Sequence, residues 1–374
     1  MNTFGSLSEG QLKHSQSEEI QELYRQLEDK DRIFENYKKS RGGLEVFFRQ
    51  VLSSIQPMSP LPVLFKPEAS KSKPTAIAVN QTSDSHMGAV QPSYEVAYLN
   101  GYNPTVCGNR NIGYSLASSK YINTLRNGYV INELHWLFTG DLISGDIHEE
   151  LKITNAFPSP VQVVQAAKLH AAQVGVVAPM YERIVVHFVT ADNHARLTKK
   201  PQSGEEGFNS MNYLVGIMMK EYLRKHTNVE FNLHPVYEAN IDIGNMKYLV
   251  THGHGIKGWA GIPWYGIERK VSREATFRMA EILMSYDQDK ALKELGFHKM
   301  VHGHFHTDLN TPTSSCAASV QGGTTFDLKN ARMSKPGQPT WLIGEHGEFA
   351  RTNFNLNVYD NEDLWKIELE GGYQ

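Results

Sequence analysis

Five short segments bring aspartate, asparagine and histidine to the ends of apolar runs: Asp84-Ser85-His86, Gly140-Asp141, Asn193-His194, His252 and Gly303-His304-Phe305-His306. Asp84, His86, Asp141, Asn193, His252, His304 and His306 together offer seven oxygen and imidazole donors, as a pair of divalent ions sharing one carboxylate requires. Two such ions, roughly 3.5–4 Å apart, need a bridging ligand to offset their repulsion. Asp141 is the natural candidate. With Asp84 as the second carboxylate, two M²⁺ ions leave a formal surplus of about two positive charges, which suits a phosphate held beside a hydroxide bridging the ions. Mixed imidazole, carboxylate and amide donors favour Mn, with Fe or Zn as alternatives, over Ca. A single Asp or His of this kind is usually structural, whereas the whole set in this order is not a chance pattern. His254, two residues beyond His252, is the alternative ligand at that position.

The elements that must position these residues can be read from the apolar runs. Residues 76–79, 134–139, 184–190, 248–251 and 299–301 read as buried strands, so each ligand segment falls at a strand's carboxyl end, the edge where open α/β sheets bind ligands. Between them lie helical stretches. One has Ser159 as N-cap and Pro160 at the first helical position, a second covers about 209–225, and a third runs over 272–295. Alternating strand and helix argues for an α/β domain with right-handed crossovers and a mostly parallel sheet. Residues 324–358 are strand-like and turn-rich, which fits an added sheet layer. At the other end, 1–16 are polar, while 18–37 and 44–55 carry apolar residues at helical spacing on either side of Gly42-Gly43. These helices are too short to bury a core of their own. Docking on the main body or on a second copy is the expected use, and a homo-oligomer would follow from the latter. The expected organisation is a helical extension over 1–56, a Pro/Ser/Lys-rich linker over 57–75 and a catalytic domain over 76–374.

Composition excludes several classes. A net charge of −3, with 40% hydrophobic and 10% aromatic residues, describes an ordinary globular protein without the basic excess of a general nucleic-acid binder. Cys107 and Cys316 lack metal-knuckle spacing and are too few for a disulfide framework. The N-terminus is polar and acidic, no run is long enough to span a membrane, and a cytoplasmic location is expected.

With these residues in view, the chain resembles the calcineurin-like metallophosphoesterases, whose pattern is D-x-H, G-D, G-N-H-[D/E], H and G-H-x-H. The resemblance spans roughly residues 76–310. It implies a four-layered αββα sandwich, here with the N-terminal helical extension, and hydrolysis of phosphoric esters. It also implies a division of ligands, in which Asp84, His86 and His306 hold one ion, Asn193, His252 and His304 the other, and Asp141 bridges. The family's non-ligand histidine corresponds to His194, which would protonate the leaving oxygen or steady the phosphate. One block departs from the pattern. It reads Asp192-Asn193-His194-Ala195, lacking both the glycine and the acid that usually orients the histidine, which leaves its tautomer to another group.

Substrate signals are weaker. Gly140-Asp141-Leu142-Ile143-Ser144-Gly145-Asp146 lacks the arginine of G-D-x-x-D-R-G, which weighs against a phosphoprotein phosphatase. Thr82-Ser83-Asp84-Ser85-His86-Met87-Gly88 is similar to the T-S-D-x-H-x-G of SbcD-type DNA-repair nucleases. The stretches Asn193–Pro201 and Gly145–Glu150 look like phage-encoded metallophosphoesterases labelled as DNA-repair exonucleases. Arg196, Lys199 and Lys200 could bind non-scissile phosphates or form a solvated turn. The aromatic loop Gly255–Tyr265 could stack a base, cap the fold or make a dimer contact. His148 is either a substrate contact or a surface residue. The resulting expectation is a nuclease acting on DNA. Its alternatives are an esterase on a small nucleotide-type substrate and a non-catalytic assembly protein.

Overall fold

The computed structural model describes residues 46, 49–62, 73–147, 149–200, 204–257 and 263–367. The chain divides into two compact units, Met1–Ile55 and Gln56–Gln374. In the first, residues 49–54 are helical, and the Ser53 and Ser54 hydroxyls donate to the Gln50 and Val51 carbonyls. The expected helical pair otherwise lies outside the described residues, as do much of the expected linker, His148 and residues 258–262 of the aromatic loop.

The second unit is an α/β sandwich built on two sheets. The first orders its strands β11-β10-β1-β2-β3-β4, with β1 Ile77–Thr82, β2 Glu133–Phe138, β3 Arg183–Val189, β4 Val229–His234, β10 Gly337–Gly344 and β11 Gly347–Asn355. The second runs β5-β6-β7-β9-β8, with β5 Glu238–Ile243, β6 Met246–Thr251, β7 Lys299–His302, β8 Leu309–Asn310 and β9 Ser314–Cys316. Strands β1 to β4 are parallel, as are β6, β7 and β9. The sheets meet face to face. Val79, Leu137, Val189, Trp341 and Ile343 of the first interleave with Ala239, Ile241, Ile243, Tyr248, Val250 and Val301 of the second in one buried core. Alternation along each strand sends neighbouring residues outward. On the outer face of the first sheet Phe138, Phe188 and Phe231 stack across three strands, and Phe138 meets His170 of α3 (Ser159–Val177) edge-on. Helix α3 packs between α1 (Pro104–Leu125) and α4 (Met211–Tyr222). On the outer face of the second sheet, Ile267 and Val271 of α5 (Pro263–Met284) pack on Met300 and Cys316. The layers are therefore helix, sheet, sheet, helix. Short helices α2 (Glu149–Thr154), α6 (Gln288–Leu295) and α7 (Thr325–Lys329) lie between these elements.

Several sequence expectations are corrected. The C-terminal segment adds no layer, because β10 pairs antiparallel with β1 and extends the first sheet. The single helix expected over 272–295 is two, broken where Asp287 caps α6 by accepting from Lys290 N. Pro158 rather than Ser159 occupies the N-cap of α3, and Ser159 and Pro160 are its first helical residues. Helix α1 was not expected, because its inward face is polar: Asn109, Arg110, Asn111, Ser115 and Ser118 are all buried. Cys107 and Cys316 are buried and free. Among the described residues no helix is long and apolar enough to cross a membrane.

The polar face of α1 has a structural use. Arg110, fully buried, donates to both carboxylate oxygens of Asp360 at 2.6 and 2.9 Å and to the carbonyls of Val320 and Gln321 at 3.0 and 2.8 Å. The N–H groups of Val320 and Gln321 in turn bond the Asp84 carbonyl. Asp360 is 27% exposed and can be rehydrated, so removing Arg110 costs chiefly the bonds to the buried Val320 and Gln321 carbonyls, about 1–3 kcal/mol. Arg110→Ala is therefore expected to lower unfolding stability by about that amount, read as a shift in the urea midpoint at unchanged slope. A shift below about 1 kcal/mol would show that the pair is dispensable.

Candidate metal centre

All seven candidate ligands follow the carboxyl ends of parallel strands: Asp84 and His86 after β1, Asp141 after β2, Asn193 after β3, His252 after β6, and His304 and His306 after β7. Backbone bonds zip the first two loops together, from Asp84 N to Gly140 O, His86 N to Asp141 O and Met87 N to Leu142 O, at 2.9–3.0 Å. Gln81, also buried, donates to Thr139 Oγ1 and to the His302 carbonyl, tying the sheets together at this edge. Asp84, His86, Asp141, His304 and His306 have φ of 55°, 45°, 48°, 71° and 55°. Such left-handed backbone costs a non-glycine residue on the order of 1–3 kcal/mol and persists only where its surroundings over-determine it. Two glycines allow the close approach. A Cβ at Gly303 would lie 1.9 Å from Ser83 Oγ and 2.3 Å from Asp84 Oδ2, and one at Gly145 would lie 2.1 Å from the His194 carbonyl oxygen.

The side chains converge in three overlapping groups, Asp84/His86/His306, His86/Asp141/His194 and Asp141/His252/His304, each with its donor atoms within 4.8 Å of one another. Asp141 Oδ2 lies 3.0 Å from His252 Nε2 and 3.9 Å from the Nε2 of both His86 and His194. On one side His306 Nε2 is 3.4 Å from Asp84 Oδ1 and 3.2 Å from His86 Nε2. On the other, Asn193 Oδ1 is 3.0 Å from His252 Nε2.

The donor chemistry fits cations. His252 Nδ1 donates to the Thr139 carbonyl at 2.8 Å, so a neutral ring presents its Nε2 lone pair to two oxygens, of Asp141 and Asn193. Lone pairs facing oxygens repel unless a positive charge lies among them. Protonation supplies one. Burial disfavours the His252 imidazolium, yet Asp141 raises its pKa to about 10. Burial likewise opposes charge on His306, but Asp327 and Asp84 raise it to about 10. His86 is lowered to about 3 by burial and His194, and His304 well below the usual range by burial and His252, so both rings are neutral. For Asp84 and Asp141 burial opposes ionisation, but the facing imidazoles of His306 and His252 hold both carboxyls below the ordinary carboxylate range.

The remaining expectations resolve by geometry. His194 Nδ1 donates to the Ser144 carbonyl at 2.6 Å, and that bond, not an acid, turns Nε2 toward Asp141. Asp192 instead holds the loop backbone, accepting from Asp141 N at 2.8 Å and Ala195 N at 2.7 Å, while Asn212 donates to the same carboxylate. Burial and the neighbouring Asp141 raise its pKa. His254 is not brought into the ligand groups: its Nε2 faces Glu206 at 2.7 Å. Arg196 donates to the carbonyls of Thr198 and Lys199 within its own loop, Lys199 pairs with Glu149 at the start of α2, and Lys200 is exposed. With Leu197, Glu206 and Asn209, Arg196 and Thr198 line a cleft of about 140 Å³. In the described part of the aromatic loop, Trp264 and Tyr265 begin α5 and are exposed. Sequence reasoning missed Asp327, whose Oδ2 lies 3.7 Å from His306 Nδ1, and Gln338, which exchanges two 3.0 Å bonds with the Ser83 backbone. Neither stands near a motif. A polar Gln in an otherwise apolar strand was the available signal for Gln338.

No family model and no curated protein matches the chain. Among solved structures it is similar to a conserved uncharacterized protein from Streptococcus pneumoniae, described as a predicted phosphoesterase. The identity is 10%, covering 75% of this chain and 98% of that one, at a TM-score of 0.23. So loose a likeness carries no chemistry across. The side chains alone define what this centre can hold.

Because metal ligands must be deprotonated, a cation entering here competes with the protons on His252 and His306. Both pKa values are raised to about 10, so at pH 7–8 the rings are charged and loading expels protons. Affinity for Mn²⁺ is therefore expected to rise with pH through this range. Isothermal titration in buffers of different ionisation enthalpy should report proton release per ion bound. Binding without proton release would contradict the raised values.

Proposed function

We propose that this chain is a calcineurin-like metallophosphoesterase that hydrolyses phosphodiesters with two divalent ions, and that DNA is its substrate. The observation that carries the two-ion reading is the place of Asp141, whose carboxylate belongs to two donor groups at once. Asp84, His86 and His306 would hold one ion and Asn193, His252 and His304 the other, with Asp141 between them. Such ions supply Lewis acidity and an activated water.

The chain's own contribution is positional. The strand ends and zipped loops hold the donors rigidly. The Ser144 carbonyl fixes the His194 tautomer so that Nε2 faces the centre. As an imidazolium, that nitrogen can bond a phosphoryl oxygen or give its proton to the leaving oxygen. Arg196, the cation nearest to His194 in sequence, is committed to two carbonyls, which supports diester rather than doubly charged monoester substrates. The Thr82–Gly88 and Asn193–Pro201 similarities support DNA. A small nucleotide-type diester is the second reading, favoured by the engagement of Lys199 with Glu149, which leaves Lys200 alone of the three basic candidates exposed and outside any ion pair or side-chain bond in the described residues.

The test is hydrolysis of end-labelled single- and double-stranded DNA beside bis-p-nitrophenyl phosphate, with Mn²⁺ or with EDTA. Cleavage of both substrates is expected with Mn²⁺ and none with EDTA. Asp141→Asn should reduce turnover to background. His194→Asn should keep the ions bound yet lower kcat by about 10²–10⁴-fold. Turnover of the small diester with DNA untouched would move the substrate to the nucleotide class. Silence on both, despite bound metal, would favour a non-catalytic role.

A further inference from the structure

Helix α7 and the turn after it lie beyond the ligand motifs, yet they grip His306 at two points. Ser334 Oγ donates to the His306 carbonyl. The Asp327 carboxylate faces the ring's other side, with Oδ2 3.7 Å from Nδ1. That nitrogen is buried and makes no hydrogen bond among the described residues. Asp327 itself is 1% exposed and firmly placed. It accepts from Thr324 N at 2.9 Å and Thr324 Oγ1 at 2.7 Å, in a capping box, and from Arg332 Nε at 3.1 Å. Main-chain bonds close the segment on itself, from Arg332 N to Asp327 O and from Gly323 N to Ser334 O.

A capping box accounts for Asp327 accepting from Thr324, but not for its carboxylate being buried against an imidazole. We infer that Asp327 is a positioning residue for His306. Its negative charge on the Nδ1 side of the ring favours the orientation that presents Nε2 beside Asp84 and His86, and makes the imidazole a stronger donor to a cation there. Outer partners of this kind are worth about 10–100-fold in metal affinity. The inference rests on the two-ion reading, and it makes the two positions unequal in kind, because His252 is oriented by a neutral carbonyl.

The test is Mn²⁺ titration of the metal-free protein, wild type against Asp327→Asn, followed calorimetrically and by native mass spectrometry. Asparagine keeps the shape and can still accept from Thr324 N, so folding, checked by circular dichroism, should persist. The expected result is that one of two ions binds 10–100-fold more weakly while the other keeps its affinity. Asp84→Asn should weaken that same ion. Two wild-type affinities in Asp327→Asn would overturn the proposal, and equal weakening of both ions would reduce Asp327 to a scaffold residue, overturning it as well. Failure of the wild type to take up two ions would instead overturn the two-ion reading.

Discussion

Two carboxylates, Asp84 and Asp141, are buried at the edge where the two sheets meet, and the rest of the centre follows from what that burial demands. An ionised carboxylate out of water is tolerable only with compensating charge and hydrogen bonds. The main chain supplies part of this. His304 N bonds both oxygens of Asp84 at 3.1 Å, and His194 N bonds Asp141 Oδ1 at 3.2 Å. Five imidazoles supply the rest, either as cations themselves or as donors to one. This is why the ring nitrogens crowd at distances that neutral, unliganded histidines would avoid.

Bringing five loops this close has a backbone consequence. Five of the seven candidate ligands, Asp84, His86, Asp141, His304 and His306, adopt left-handed conformations where the β1, β2 and β7 loops turn into the centre. Strain of this kind needs support from outside the loops. Gln338 on β10 clamps the Ser83 backbone beside Asp84, and the 319–321 turn, held by Arg110, bonds the Asp84 carbonyl. The C-terminal strands are therefore part of the centre's foundation, although they contribute no ligand.

What the sequence showed follows the same division. The candidate ligand segments were legible because the chemistry they point to allows few substitutes and because each ends an apolar run. The parallel strands β1, β2, β3, β6 and β7 were legible for the latter reason. Strands β4 and β5 were not, since Val229–His234 and Glu238–Ile243 mix Glu, Asn, Asp and His with apolar residues on half-buried edges. Helix α1 escaped notice because it buries asparagine, serine and arginine instead of an apolar stripe. The outer partners of the ligands were invisible for a different reason. Asp327, Gln338 and the Ser144 carbonyl act through contacts 20 to more than 250 residues apart or through main-chain atoms, which no side-chain pattern records.

The absent acid after His194 illustrates how the charge balance constrains the solution. A carboxylate at position 195 would add a third buried carboxyl to a loop cluster that already holds Asp141 and Asp192, where burial and like-charge repulsion have raised the Asp192 pKa. The chain has Ala195 there, fully buried, with its N–H given to Asp192. The tautomer of His194 is then set by a carbonyl, which accepts the Nδ1 proton without adding charge. Gly145 makes this possible: no other residue lets that loop approach the His194 backbone so closely. The same device, a carbonyl behind an imidazole, recurs at His252 with Thr139. Behind His306 the outer partner is a carboxylate, Asp327, and there Arg332 offsets its charge. The pattern of outer partners is thus set by how much negative charge each side of the centre can hold.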